Sequence, residues 1–142
     1  MPSQLQSPEV QAFATGFPVT LLHASVTLVM LILGTALYAL LTPHKEITLI
    51  REGNSAAALS LGGVMVGLAI PLAISLTAST SVIEIMIWGA ATIAVQLLVF
   101  RVTDMVLKGL PERIQDGEIS AAALLVGAKL ATALILAAAV AG

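Results

Sequence analysis

Cysteine is absent from this 142-residue chain, which excludes disulfides and thiolate metal sites together. Charge is nearly as scarce. Asp, Glu, Lys and Arg make up 10% of the residues, against about a quarter in a soluble domain, too few to cover a water-facing surface. The chain is 58% hydrophobic and reads as an integral membrane protein. The net charge of −2 comes without any basic cluster, so nucleic acid is dropped as a partner. The opening MPSQLQSPEV lacks the positive n-region of a secretory signal, and the apolar run behind it is too long for an h-region. Residues 1–16 read as a short polar tail. Also missing are G-x-S-x-G, HExxH, a P-loop and any cluster of metal ligands. His23 and His44 fall at opposite faces of the membrane and cannot share a metal within one chain. No catalytic residue, cofactor or metal is expected, and the chain is expected not to be an enzyme.

Four apolar stretches are present: Phe17–Leu41, Ser55–Thr77, Val82–Leu107 and Ile119–Ala141. Each can cross a hydrocarbon core of about 30 Å. Ala and Leu dominate, the runs are long and period-two alternation is absent, so strands are not expected. The predicted fold is an all-α integral membrane protein with four transmembrane helices and short interfacial helices in its charged loops. Those loops hold Lys45, Arg51, Arg101, Lys108 and Arg113. The N-terminal tail, the TASTS loop and the C-terminus hold no Lys or Arg. This asymmetry places the charged loops in the cytoplasm and both termini outside.

One stretch is written twice: LIREGNSAAAL at Leu49–Leu59 and RIQDGEISAAAL at Arg113–Leu124. An offset of 64 residues, from Gly53 to Gly117, also pairs Ile50 with Ile114, Ala57 with Ala121 and Leu61 with Leu125. Ala and Leu matches are partly compositional. The acid-Gly-polar step, Glu52-Gly53-Asn54 against Asp116-Gly117-Glu118, is not. The chain therefore divides into residues 17–78 and 79–142, two hairpins that point the same way, a parallel repeat about an axis along the membrane normal.

The repeated stretch predicts a corner at the interface. Thr42-Pro43 opens a short helix, with Ile47 and Ile50 sharing its apolar face. Gly53 ends it in a left-handed conformation, and Asn54 caps the next span. In the second copy Leu110-Pro111 opens, Asp116-Gly117 closes, and Glu118 sits at the positive helix start. The Ala triplets let backbones approach closely. A small-residue seam of Ala57, Gly63, Gly67, Ala121, Gly127 and Ala131 follows. Such seams are usually packing seams; a functional reading would make this one the axis of an oligomer or the repeat interface.

A Gly-Asn-x-Ala-Ala step after a short charged segment, set in two membrane hairpins, resembles the YjfL-like bacterial membrane proteins, the family known as domain of unknown function 350. The resemblance covers residues 17–142. The first copy, REGNSAAALSLGG, follows the pattern; the second, QDGEISAAALLVG, has Glu118-Ile119 where Asn is expected. The resemblance implies a small polytopic inner-membrane protein with no established chemistry, in gene neighbourhoods concerned with membrane stress, and hence an envelope-maintenance role.

Charged residues inside spans are functional candidates by default. His23, Glu84 and Lys129 qualify. His23 shares a face with Thr20, Thr27 and Tyr38; Glu84 shares one with Trp88, Thr92 and Gln96. Lys129 lies opposite Gly127 and Ala131. One reading makes His23, Thr27, Glu84, Thr92, Gln96 and Lys129 a polar path that relays protons or binds an ion. The other leaves Glu84 solvated, His23 bonded to a neighbouring helix, and Lys129 snorkelling or paired with a carboxylate, Glu84 being its obvious partner in this chain. Asp104, Glu112 and Asp116 read as solvated, with Asp104 and Lys108 one turn apart. Pro71 is expected to kink the second span.

Two functions follow. The first is a scaffold or accessory membrane protein, homo-oligomeric, in contact with lipid and with other membrane proteins. The alternative is a proton or small-ion channel formed by the oligomer.

Overall fold

The computed structural model describes residues 7–42 and 45–142. Six helices account for nearly all of them: α1 (Pro8–Leu41), α2 (Glu46–Arg51), α3 (Ser55–Ala78), α4 (Val82–Val106), α5 (Leu110–Gln115) and α6 (Ile119–Ala141). No strand occurs among the described residues. Four of the helices, α1, α3, α4 and α6, are long and apolar enough to cross a membrane. The expected all-α membrane fold is the one observed.

Helix α1 starts nine residues earlier than the reading of a polar tail through residue 16 allowed. Ser7 caps it, accepting from the Val10 N–H, and Pro8 takes the first turn with Glu9 beside it. Ser-Pro-Glu is a helix-start signature, and the residues behind it are mostly Val, Ala and Phe. Residues 1–6 lie outside the described residues. At 34 residues and 1.5 Å rise, α1 is about 51 Å long. Residues 8–22 are exposed along every face, with Phe13 and Phe17 stacked 4.9 Å apart.

Helices α3 and α6 form the most intimate pair, and α3 also packs against α1 and α4. The reason is side-chain size. A Cβ on Gly63 would stand 2.5 Å from Val126 of α6, and one on Gly67 would stand 2.6 Å from the Phe100 ring of α4. The two glycines of one Gly-x-x-x-Gly step thus admit two different helices. Helix α3 runs unbroken through Pro71.

Short helices α2 and α5 lie at one end of the bundle, and both corners close alike. Gly53 and Gly117 adopt φ of 90° and 86°, which a Cβ would oppose. Gly53 donates to the Ile50 carbonyl and Asn54 to that of Leu49; Gly117 donates to Ile114 and Glu118 to Arg113. These are Schellman closures. The first two alanines of each SAAAL stretch, Ala56-Ala57 and Ala121-Ala122, join Ile114 and Leu125 in one buried cluster.

The openings differ from expectation. Thr42 does not start α2 but ends α1, its hydroxyl donating to the Tyr38 carbonyl at 2.8 Å; Pro43 and His44 lie outside the described residues. Helix α2 begins at Glu46 and turns Leu49 and Ile50 inward, while Ile47 faces out. The caps also diverge. Asn54 Oδ1 accepts from Ala57 N–H at 3.0 Å, and its Nδ2 donates to the Ile114 and Gln115 carbonyls at 2.9 and 3.1 Å. Glu118 makes no side-chain cap and pairs instead with Arg113. Asn54 therefore ties one corner to the other. Asn54→Ala is expected to cost about 2 kcal/mol, the sum of a lost cap and two carbonyls left without their donor. Asn54→Asp, which keeps only the cap acceptor, should fall between the two in SDS-titration unfolding. Equal stability of all three proteins would show that the tie carries no energy.

Candidate functional site

The helical 3.6-residue period lines up Thr92, Gln96, Phe100 and Asp104 on one buried face of α4. Lys129 is buried on α6 with Ala133 and Leu125 on either side, one turn away. Side chains on a helix lean toward its N-terminus. Lys129 therefore reaches toward the α2/α5 end, where α4 finishes, and not toward the start of α4. Its Nζ lies 2.8 Å from Asp104 Oδ1 and also donates to the Tyr38 hydroxyl. Tyr38 in turn donates to Asp104 Oδ2 at 2.9 Å. The ammonium sits 4.6 Å from the Tyr38 ring centroid and 5.6 Å from that of Phe100, within cation–π range. Lys129 is 0% exposed and Asp104 9%. Arg101, half-buried one turn before, adds a second positive charge 3.8 Å from Asp104 Oδ2. Three transmembrane helices are thus joined by a closed triangle of two hydrogen bonds and one ion pair.

This geometry corrects two readings. The partner of Lys129 is Asp104, not Glu84, and Asp104 is buried in an ion pair, not solvated beside Lys108. The sequence carries a signal for this face: Thr92, Gln96, Phe100 and Asp104 recur every four residues, while Glu84 and Trp88 fall away from it as the helix winds.

The six residues of the proposed polar path do not meet. Glu84 is exposed at the far end of α4, where Ser81 caps the helix and Glu84 reaches back to the residue before the cap. Ser81 Oγ accepts from the Glu84 N–H, and Glu84 Oε2 accepts from the N–H and hydroxyl of Thr80. Twenty residues of helix, about 30 Å, separate it from Asp104. His23 is half-buried and its carbonyl accepts the Thr27 hydroxyl at 2.8 Å; it stands fifteen residues, about 22 Å, from Tyr38. Thr92 and Gln96 are buried in the bundle, Gln96 with neither amide atom partnered.

The seam divides in the same way. Ala57, Gly63, Gly67 and Ala121 are buried between helices. Gly127 and Ala131 face outward, and a Cβ on Gly127 would meet nothing within 4 Å. Positions 64 residues apart thus differ in surroundings. Met65 is 43% exposed, whereas Lys129, 64 residues on, is sealed. Past the shared corner, α3 is hemmed in by three helices and α6 keeps an open side.

At the α2/α5 end Glu46, 5% exposed, turns inward from α2. With Tyr38, Ser60, Asp104, Ile114 and Gln115 it lines a cavity about the size of one water. Its Oε2 has no hydrogen-bond partner. Burial pushes its carboxyl up to about 7; Lys129 opposes this and Asp104 adds to it. Sequence reasoning passed over Glu46 because a carboxylate in a charged loop is ordinarily solvated. No group of three or more His, Cys, Asp or Glu fit to hold a metal occurs among the described residues.

The sequence model of the family described as Domain of Unknown Function (DUF350) matches residues 12–140. Two curated relatives, both described as UPF0719 inner membrane protein YjfL, come from Escherichia coli strain K12 and Escherichia coli O157:H7. Each is 34% identical over 85 residues, 60% of this chain and 64% of the relative. The chain thus spans somewhat under two thirds of the length of these relatives. No solved structure matches. With four membrane-length helices and a family match over almost its full length, this chain belongs to the DUF350 family of membrane proteins.

Proposed function

We propose that this chain is a multi-pass protein of the bacterial inner membrane, both termini outside and α2 and α5 cytoplasmic, that acts as an oligomeric scaffold or accessory subunit in envelope maintenance and not as an enzyme. The carrying observation is the closed Tyr38–Asp104–Lys129 triangle. The strongest intramembrane charges are spent on holding the chain's own helices together, which suits a rigid element better than a relay. Three features support the finer points. The relatives are described as inner membrane proteins. All five Lys and Arg outside Lys129 fall toward the α2/α5 end. The matched corners fit a duplicated hairpin, and they make the open Gly127/Ala131 side of α6 conspicuous, because the corresponding glycines of α3 are filled by Val126 and Phe100. A second copy or another membrane protein would complete that side.

Mass measurement in nanodiscs tests this. Wild type is expected as a defined oligomer, and Gly127→Leu with Ala131→Leu as a smaller species. A monomeric wild type would overturn the scaffold reading as stated.

Conduction of protons or small ions by the oligomer is the second reading. Gln96 favours it, since a wholly buried amide with both atoms unpartnered is what an internal file of water would satisfy. Proton flux into liposomes, lost in Gln96→Leu, would support it; absence of flux in wild type would dismiss it.

A further inference from the structure

We propose that the small cavity beneath α2 is a proton-binding site, with Glu46 as the acceptor, and that its occupancy sets how firmly α2 sits on the bundle. The idea is independent of whether the protein scaffolds or conducts. Helix α2 is only six residues long and is held by Leu49 and Ile50 against the alanine corner. Its one inward charge is Glu46, whose Oε2 faces into the bundle without a hydrogen-bond donor. An ionised carboxylate there would be stranded, whereas a protonated one brings its own donor to the cavity.

Among the described residues, the following groups face it. From α1 comes Tyr38, whose hydrogen already goes to Asp104. From α4 come Asp104 and, farther out, Arg101; from α6 comes Lys129. Helix α3 contributes Ser60 and α5 Gln115 to the lining. On α2 itself Arg51 is exposed, as are Lys45 and Glu52 at its ends. Lys129 and Arg101 both pair with Asp104, so an ionised Glu46 has no ion-pair partner of its own among the described residues, and a proton neutralises it. With the ammonium already on Asp104, a second cation finds only one free carboxylate. The narrow, water-sized space also favours the smallest occupant. The rim includes exposed Gln115, so the proton has a route from the aqueous side.

The direction of the response follows from linkage. The docked carboxyl holds its proton more tightly than a solvated one, so docking is strongest at low pH. It weakens as pH rises from the ordinary carboxylate range of 4.5 to about 7, and no further above that. Because the chain has no cysteine, Thr48→Cys on the exposed face of α2 gives a unique spin-label site. In nanodiscs the label is expected to be immobile near pH 5. A mobile population should grow through neutrality, the docking equilibrium changing on the order of a hundredfold. Glu46→Gln should stay docked at every pH, and Glu46→Asp should keep a response. Infrared difference spectra should show a protonated carboxyl in wild type at low pH that Glu46→Gln lacks. A label indifferent to pH in wild type would overturn the proposal. So would an unchanged response in Glu46→Gln, or a response that follows sodium concentration at fixed pH, which would make this a cation site.

Discussion

Lys129→Met is expected to destabilise the bundle by about 3–5 kcal/mol. That is the usual cost of removing one member of a buried ion pair and leaving the other charge uncompensated. Here the group left behind is Asp104, 9% exposed, with only Tyr38 and the half-buried Arg101 at 3.8 Å left to it. Asp104→Asn, the reverse truncation, leaves a sealed ammonium and should cost a similar amount. The double variant Asp104→Asn with Lys129→Met removes both charges and should recover much of the loss, because an uncharged pair of similar size needs no compensation. SDS-titration unfolding of the four proteins closes the cycle. Tyr38→Phe, which removes one hydroxyl from the triangle, is expected to cost about 1–2 kcal/mol. If Lys129→Met unfolds within about 0.5 kcal/mol of wild type, the triangle is not what holds α1, α4 and α6 together. The same variants separate two roles for Lys129. An assembly residue would change the oligomeric mass on substitution. An internal lock, as the geometry has it, would change stability first and leave the mass of the folded fraction alone.

Gly63→Ala should be nearly as damaging for the addition of one methyl group. The new Cβ would meet Val126 at 2.5, 2.7 and 3.0 Å from its three side-chain carbons. Val126 is β-branched and stiff, so relief has to come from moving α6 bodily away from α3. Overpacking of this kind costs about 1–3 kcal/mol, and it would also strain the Ala56-Ala57-Ala121-Ala122 corner at the end of the same pair. Gly62→Ala is the internal control, since a Cβ there has nothing within 4 Å. Adding a Cβ in a helix interior gains up to about 1 kcal/mol from propensity alone. The pair should therefore move in opposite directions. Gly63→Ala combined with Val126→Ala should restore the approach. Equal stability of Gly62→Ala and Gly63→Ala would mean that α3 and α6 do not meet as closely as the structure has them.

Much of this was legible without coordinates, for reasons that are local or compositional. Ten percent charge and runs of twenty or more apolar residues leave no choice but a membrane and helices, because backbone polar groups have no other partner in lipid. Gly53 and Gly117 announce their corners because only glycine adopts the left-handed closure readily. The start of α1 was equally local, written in Ser7-Pro8-Glu9, and was missed only because the run of polar residues was read as a tail.

What the sequence could not supply is the rotation of each helix about its own axis. In a water-soluble helix the apolar stripe marks the inward face. In lipid both faces are apolar, and that marker is lost. Position 129 lies 64 residues past position 65, the offset that aligns Gly53 with Gly117, yet one is sealed and the other faces out. Gly63 and Gly67 are filled while Gly127 and Ala131 are bare. Only the tertiary packing, set by where Val126 and Phe100 find room, turned Lys129 toward Asp104, carried Tyr38 to both, and brought Glu46 under α2. Composition determined the membrane, the helices and their corners; the rotation of those helices decided which polar residues meet.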